Sequence, residues 1–133
     1  LKKIIVLLIM YLVYIIRSGN RSYIGMTNDF FRRWCQHNKL LKGGAKYTCK
    51  YENWEPICII DGFKNKSEAM QCEWKLKRVK GWFNRILNLI NLMENSEKWT
   101  KNSPIIKDQQ LTIYIIDSLK KHFTFEVKEL YWI

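Results

Sequence analysis

Glu73 is a carboxylate that continues an apolar helical stripe of Ala69, Cys72 and Leu76. A carboxylate in such a position is costly unless it is paired or binds a cation. Two interpretations stay open from spacing alone. Glu73 either coordinates a cation, or it is solvated or paired with Lys77 four residues later.

Arg33 and His37 are four residues apart on a predicted helix, so one face presents a guanidinium and an imidazole together. Such groups offset the negative charge that develops in phosphoryl transfer. Because Arg32 stands beside them, the same pattern is also typical of a solvated basic helix face.

Two tyrosines, Tyr14 and Tyr23, fall on predicted neighbouring strands, where their side chains can meet across the ladder. A phenol beside a cation can act as a base or orient a water molecule when its pKa falls below about 10. Ordinary hairpin packing would place two tyrosines in the same way.

A basic loop follows the first helix and combines Lys42, Lys46 and Lys50 with Gly43-Gly44 and Tyr47. Lysines suit backbone phosphates, glycines permit close backbone approach, and rings can stack on bases. The alternative is a flexible, solvated loop.

Turn and cap signals place these residues on a β-β-α-β-α framework. Gly19 and Asn20 indicate a hairpin turn with positive φ at both positions, Asp29 lies in a helix N-cap sequence, and Asn65 with Glu68 forms a capping box. The predicted elements are strands Tyr11–Arg17, Ser22–Met26 and Ile57–Ile60, with helices Phe30–Leu41, Ser67–Lys80 and Trp82–Glu94.

The fold class that follows is α+β, with a small three-stranded antiparallel sheet flanked by helices. We expect a core domain over residues 10–86, with residues 1–9 an uncertain N-terminal extension. A C-terminal extension over residues 87–133, of helical and mixed structure, is expected to pack on this core. Within it, Leu111–Ile116 and Phe123–Leu130 suggest a strand and another short element.

Charge is the main compositional signal in this chain of 133 residues. Lys and Arg number 23 against 12 Asp and Glu, which gives +11, and residues 1–50 hold ten of these cations with one acid. A basic segment of this kind indicates a polyanion partner, either nucleic acid or an anionic membrane surface. A solvated basic face without a specific partner is the alternative.

The cysteines and the N-terminal residues indicate whether the protein is intracellular or secreted. Cys35, Cys49, Cys58 and Cys72 lack zinc-finger spacing, which favours reduced thiols in an intracellular core over disulfides in a secreted protein. Residues 1–16 resemble a signal peptide without its cleavage site and are too short to span a bilayer. We favour a strand over Tyr11–Ile16, preceded by an extension over residues 1–9, and consider Met10 as a natural start. A protein anchored to a membrane surface by residues 1–16 is a further alternative.

The joint order of these residues resembles the GIY-YIG nuclease superfamily. Its YIG half reads Tyr23-Ile24-Gly25, and its GIY half reads Leu12-Val13-Tyr14, with the glycine replaced. Arg33-x-x-x-His37-Asn38 and GGAKYT follow in order. The resemblance is strong over residues 11–80 and faint over residues 81–116. Trp54, Asp61-Gly62-Phe63 and Glu73-Trp74 look more like the eukaryotic structure-specific branch, which cuts flaps and Holliday junctions.

This resemblance implies a metal-dependent DNA endonuclease that leaves 5′-phosphate and 3′-hydroxyl ends. Glu73 would bind one Mg²⁺ or Mn²⁺, and Arg33 would neutralise charge at the phosphorus. Either Tyr14 or Tyr23 would accept the proton of the attacking water, with His37 as an orienting or proton-handling group beside them.

The resemblance also implies partners. Arg32, Lys42, Lys46 and Lys50 would follow the backbone of branched or flap-containing DNA in repair or recombination. Family members typically also have a polar residue near the metal that comes late in the sequence of the domain, and here it would be Asn84, Asn88 or Asn91. A cysteine-rich zinc module docks a scaffold protein in the eukaryotic branch; this sequence lacks one, so we expect a reduced version, for example a viral one.

We expect an intracellular protein of the nucleus, cytoplasm or a viral replication site, which is neither secreted nor bound to membrane. Two alternatives remain. The first is a non-catalytic nucleic-acid-binding module, for which Glu73 has no use, and the second is a less structure-selective GIY-YIG nuclease.

Overall fold

A computed structural model describes residues 10–130 of the chain, so the expected extension over residues 1–9 lies outside it. The strands in this part are β1 (Leu12–Ser18), β2 (Arg21–Thr27), β3 (Glu55–Asp61), β4 (Thr112–Ile115) and β5 (Lys128–Glu129). The α-helices are α1 (Phe30–His37), α2 (Lys66–Leu76) and α3 (Trp82–Glu94). Three 3₁₀ turns cover Thr48–Lys50, Ile106–Gln109 and Asp117–His122.

The described strands form one sheet in the order β2-β1-β3-β4-β5. The predicted α+β class is confirmed, and the three expected strands pair antiparallel, but the sheet has five strands instead of three. β4 adds to β3 antiparallel, and β5 adds to β4 in parallel. The pattern of Leu111–Ile116 indicated a strand, yet its pairing partner lies some fifty residues earlier and leaves no local trace in the sequence.

The β1-β2 hairpin has a two-residue turn. Ser18 pairs with Arg21, and Gly19 adopts φ +60°. Positive φ at the first central residue suits a turn whose twist matches the strands. Asn20 was expected at positive φ as well, and this part of the prediction is wrong.

Two helices end earlier than the sequence predicts, and in each case hydrogen bonds to another part of the chain form just past the helix end. α1 ends at His37 instead of Leu41, because the Asn38 side chain accepts from Trp54 N at 2.8 Å and donates to Trp54 O at 3.1 Å. α2 begins after Asn65, whose side chain accepts from Glu68 N. It ends at Leu76 instead of Lys80, and the Val79 carbonyl accepts from Arg85 Nε on α3. α3 has the predicted bounds.

Strand β1 is buried on both faces, and the two faces have different neighbours. Val13 and Ile15 point into the main hydrophobic core, whereas Tyr14 and Ile16 point to a smaller cluster with Trp54. This alternation follows from the period of two in a strand. One side of the strand therefore supports the fold, and the other carries Tyr14.

The segment after residue 86 shares the main core. Leu89 on α3, Trp99 and Ile115 on β4 are fully buried in the same cluster as the central strands. Trp99 also donates from Nε1 to Gln109 Oε1 at 3.1 Å, which satisfies its buried N–H. Both sides of position 86 thus contribute to one hydrophobic interior.

All four cysteines are free thiols; Cys35, Cys58 and Cys72 are buried and Cys49 is exposed. Between residues 10 and 130, every helix is too short or too polar to cross a bilayer.

Because Trp99 fills the shared core, Trp99→Ala should lower the free energy of unfolding by about 3–5 kcal/mol. Trp74, which is 50% exposed, provides the matched control, and Trp74→Ala should change the free energy by less than about 1 kcal/mol. Urea denaturation followed by circular dichroism measures both. Equal losses in the two variants would contradict a shared core.

Candidate active site

Tyr14 crosses directly over Gly25 of the neighbouring strand. The two residues are partners in the ladder, and a Cβ on Gly25 would overlap the Tyr14 hydroxyl and lie 2.5 Å from its ζ carbon. Tyr23 is opposite Ile16, two positions along, so the two phenol rings meet diagonally with centroids 6.4 Å apart. The sequence prediction that these tyrosines meet agrees with this geometry, and the glycine is what allows it.

The buried Tyr14 hydroxyl lies 2.7 Å from His37 Nε2, and His37 Nδ1 lies 2.7 Å from Thr48 Oγ1. Thr48 donates its hydroxyl proton to Ala45 O at 3.1 Å, so it accepts from the imidazole. His37 therefore carries its proton on Nδ1, and Tyr14 O–H donates to Nε2. A directed chain of hydrogen bonds thus joins β1, α1 and the 3₁₀ turn.

The 3₁₀ turn that carries Thr48 is itself held in place. The indole of Trp54 donates to Thr48 O at 3.0 Å, and both residues are buried. Because Trp54 lies just before β3, the turn is tied to the sheet. The loop that was predicted to be merely basic therefore contains a fixed partner for His37.

Arg33 lies one turn before His37 on α1, as predicted. Its Nη1 donates to Gln36 Oε1 and to Gly43 O, each at 2.9 Å, so the side chain is anchored to the loop. The guanidinium is near enough to Tyr14 to favour the charged phenolate, and near enough to His37 to disfavour the imidazolium. Arg33, Tyr14 and His37 thus form one electrostatic group.

Burial sets the proton state of both hydrogen-bonded residues. It raises the pKa of Tyr14 above its ordinary value, with Tyr23 and Glu73 adding to the rise and Arg33 opposing it. Burial, followed by the charge of Arg33, lowers the pKa of His37 to about 4. At neutral pH the pair is therefore a phenol and a neutral imidazole.

The position of Glu73 matches the second of the two interpretations that its spacing left open. Ala69, Cys72 and Leu76 are buried on the inner face of α2, whereas the Glu73 side chain is 24% exposed at its edge. It pairs with Lys77 at 3.3 Å, which was the alternative interpretation. It still acts on the Tyr14 phenol, since its charge raises the pKa of that group.

Lys77 connects the carboxylate to the second tyrosine. Its ammonium lies 5.9 Å from the centre of the Tyr23 ring and 3.3 Å from Glu73. The Tyr23 ring in turn contacts the His37 ring, with centroids 4.9 Å apart. The five predicted catalytic residues are thus linked through neighbouring contacts: Tyr14, Tyr23, Arg33, His37 and Glu73.

The four predicted DNA-binding cations, Arg32, Lys42, Lys46 and Lys50, are all exposed. A cavity lies beside Tyr23, and none of these four cations lines it. The charged residues of its lining in the described chain are Arg21, Lys77, Lys80 and Arg85.

Sequence reasoning missed Thr48 and Arg85. Thr48 was noted only as part of the GGAKYT stretch, and its pairing with His37 depends on loop folding. Of the three asparagines suggested for the late polar position, Asn84 and Asn91 bond within the helical segment, and Arg85 is the residue that reaches β2.

Comparison with known proteins shows the family of this chain. A family model described as the GIY-YIG catalytic domain matches residues 10–86, and the chain belongs to this family. The resemblance drawn from the motifs is therefore confirmed.

Several curated relatives carry the name structure-specific endonuclease subunit slx1. The protein of Talaromyces stipitatus is 42% identical over 74 residues, covering 52% of this chain and 19% of its own length. That of Phaeosphaeria nodorum is 47% identical over 68 residues, covering 48% and 19%. That of Aspergillus fumigatus is 38% identical over 84 residues, covering 59% and 19%. The matched segments thus cover about a fifth of the length of these relatives.

Gly25→Ala should destabilise the fold by about 1–3 kcal/mol, because the new methyl group overlaps the Tyr14 ring. In a Tyr14→Ala background the same substitution should cost less than about 1 kcal/mol, since the ring is gone. Urea unfolding of the four proteins gives the coupling energy. A coupling energy near zero would show that the ring does not lie over Gly25.

The stability of the protein should fall between pH 6.5 and pH 4. In this range the unfolded chain protonates His37 and the folded chain does not, so acid favours unfolding. Relative to a His37→Gln variant, the wild type should lose about 3 kcal/mol on going from pH 7 to pH 4. Thermal unfolding across pH measures this loss, and His122→Gln, which leaves His37 in place, should retain it.

Proposed function

We propose that this chain is a divalent-metal-dependent endodeoxyribonuclease that hydrolyses phosphodiester bonds in branched DNA. One observation carries the proposal: a hydrogen-bonded phenol–imidazole pair shares its electrostatic surroundings with one arginine and one glutamate. A proton acceptor, a cation and a carboxylate together supply the parts of phosphodiester hydrolysis.

Tyr14 and His37 provide a path for the proton of the attacking water. The Tyr14 oxygen takes this proton as its own passes along the existing hydrogen bond to His37 Nε2. The low pKa of His37 leaves Nε2 unprotonated at neutral pH and makes the imidazolium a strong acid, which returns the proton readily. The bond from phosphorus to the 3′-oxygen breaks, and the leaving oxygen takes a proton from solvent, which gives a 3′-hydroxyl and a 5′-phosphate. The imidazolium then returns its proton to the Tyr14 oxygen while Tyr14 releases the proton of the attacking water to solvent, so the pair is again a phenol and a neutral imidazole.

Arg33 and Tyr23 support this step. Two hydrogen bonds from Nη1 hold the Arg33 guanidinium in place, so its charge can stabilise the negative charge that develops at phosphorus. The Tyr23 ring packs against His37 and restricts the orientation of the imidazole.

The donor set fits one hard cation, Mg²⁺ or Mn²⁺. Glu73 is a single, partly exposed carboxylate, and the described residues contain no cluster of three or more His, Cys, Asp or Glu. Hard ions of this type accept one carboxylate together with water and substrate phosphate, whereas zinc needs three or four protein ligands. Bound at Glu73, the ion would hold the scissile phosphate and stabilise the leaving oxygen.

Branched DNA in repair or recombination is the proposed substrate because the relatives are named as structure-specific endonuclease subunits. The word subunit supports a scaffold protein as a partner. Arg32, Lys42, Lys46 and Lys50 are exposed and provide charge for contacts to the DNA backbone.

A nucleic-acid-binding module without catalysis is the second candidate. The Glu73–Lys77 ion pair favours it, since a carboxylate neutralised by its own helix needs no metal. Removing the carboxylate distinguishes the two functions.

Glu73→Gln should reduce the rate of Mg²⁺-dependent cleavage of 5′-flap and Holliday-junction DNA by at least about 100-fold. The affinity for DNA should stay unchanged. Glu52→Gln is the matched control, because Glu52 also faces a lysine, Lys39, at 4.0 Å but is 79% exposed. End-labelled flap, junction and duplex DNA are incubated with Mg²⁺, Mn²⁺ or EDTA. Binding by the wild type without any cleavage would favour the second candidate.

A further inference from the structure

A basic cavity of about 410 Å³ adjoins the candidate active site at Tyr23. It lies between the start of β2, the basic loop, the end of α2 and α3. Its lining within the described chain contains four cations and no acid: Arg21, Lys77, Lys80 and Arg85. Lys77 pairs with Glu73 outside the lining, whereas Arg21, Lys80 and Arg85 form no ion pair with the described residues. The cavity is therefore suited to an anion.

Arg85 is built into the cavity wall. Its Nε donates to Val79 O at 2.7 Å, and its Nη1 donates to Ser22 Oγ at 2.9 Å and Ser22 O at 3.2 Å. These bonds hold the guanidinium between α2, α3 and β2, and Nη2 takes no part in them. Burial lowers the pKa of Arg85 because the charged group loses hydration, and a bound anion would compensate for that loss.

The position of the cavity relates it to the cleaved strand. Tyr23 and Tyr47 form one wall, with nearly parallel rings whose centroids are 6.4 Å apart. Lys77 borders the cavity and also pairs with Glu73, the proposed metal ligand. A strand with one phosphate at Glu73 would therefore continue past Lys77 toward Lys80 and Arg85.

We propose that this cavity is a subsite for a nucleic-acid backbone phosphate adjacent to the one that is cleaved, with Lys80 and Arg85 as its charged partners. The assignment to a strand rests on the proposed function, whereas the binding of a phosphate between these cations does not. The subsite would set the direction of the strand across Glu73.

The first test measures DNA binding by the full chain in EDTA, so that cleavage plays no part. A fluorescent 5′-flap substrate is titrated by anisotropy at several salt concentrations, with wild type, Lys80→Gln and Lys107→Gln. Lys107 is an exposed lysine outside the cavity lining. Lys80→Gln should weaken binding about three- to tenfold and reduce the slope of log affinity against log salt by about 1, and Lys107→Gln should leave both near wild type. Equal effects of the two substitutions would overturn the proposal.

The second test locates the phosphate without DNA. Thymidine 3′,5′-bisphosphate, or inorganic phosphate in a parallel titration, is added to ¹⁵N-labelled protein in EDTA. The bisphosphate should shift the amide signals of Ser22 and Gly81, and Lys80→Gln should reduce the shifts. Shifts elsewhere only, or none, would overturn the subsite even if the protein cleaves DNA.

The outcomes separate this inference from the proposed function. Lys80→Gln could reduce both the salt dependence of DNA affinity and the amide shifts in a protein that never cleaves DNA. This result would support the subsite and count against the nuclease. Inorganic phosphate could shift the amide signals as strongly as the bisphosphate does, while Lys80→Gln leaves DNA affinity unchanged. This combination would indicate a site for a free anion and overturn the assignment to a strand.

Discussion

The buried hydroxyl of Tyr14 imposes the strongest constraint on this structure, because a buried polar group without a partner is costly. It bonds His37, which bonds Thr48, and Trp54 holds the turn that carries Thr48. Gly25 supplies the space that the ring needs. A hairpin, a helix and a loop are therefore kept in one arrangement by a single phenol and its successive partners.

The charges around this chain of hydrogen bonds are arranged in two groups. Arg33 acts on the phenol and the imidazole, and it is anchored by its own hydrogen bonds. Glu73 and Lys77 lie at the edge of α2 as a partly exposed pair, where such a bridge contributes little to stability. Residues with buried, fixed side chains and residues with partly exposed side chains thus meet around Tyr23.

The sheet provides the rigidity that this site requires. Because β1 alternates between two buried faces, Val13 and Ile15 are locked in the core while Tyr14 is presented on the opposite side. Trp99 and Ile115 complete that core from the C-terminal part of the chain. The position of Tyr14 thus depends on packing that extends well beyond the region matched by the family.

Local signals in the sequence determined the hairpin at Gly19, the cap at Asn65, the bounds of α3 and the order of the motif residues, because each depends on neighbours a few positions away. Tertiary structure decided which of these residues touch. His37 lies 23 positions from Tyr14, Thr48 reaches it through loop folding, and Arg85 crosses from α3 to β2. Helical spacing allowed Glu73 either to continue the inner stripe or to pair with Lys77, and packing decided for the edge position beside Lys77. Likewise β4 and β5 joined the sheet through long-range pairing. Hydrogen bonds between distant segments leave no periodic pattern in the sequence. The sequence therefore identifies candidate site residues, and only the tertiary structure determines which of them contact each other.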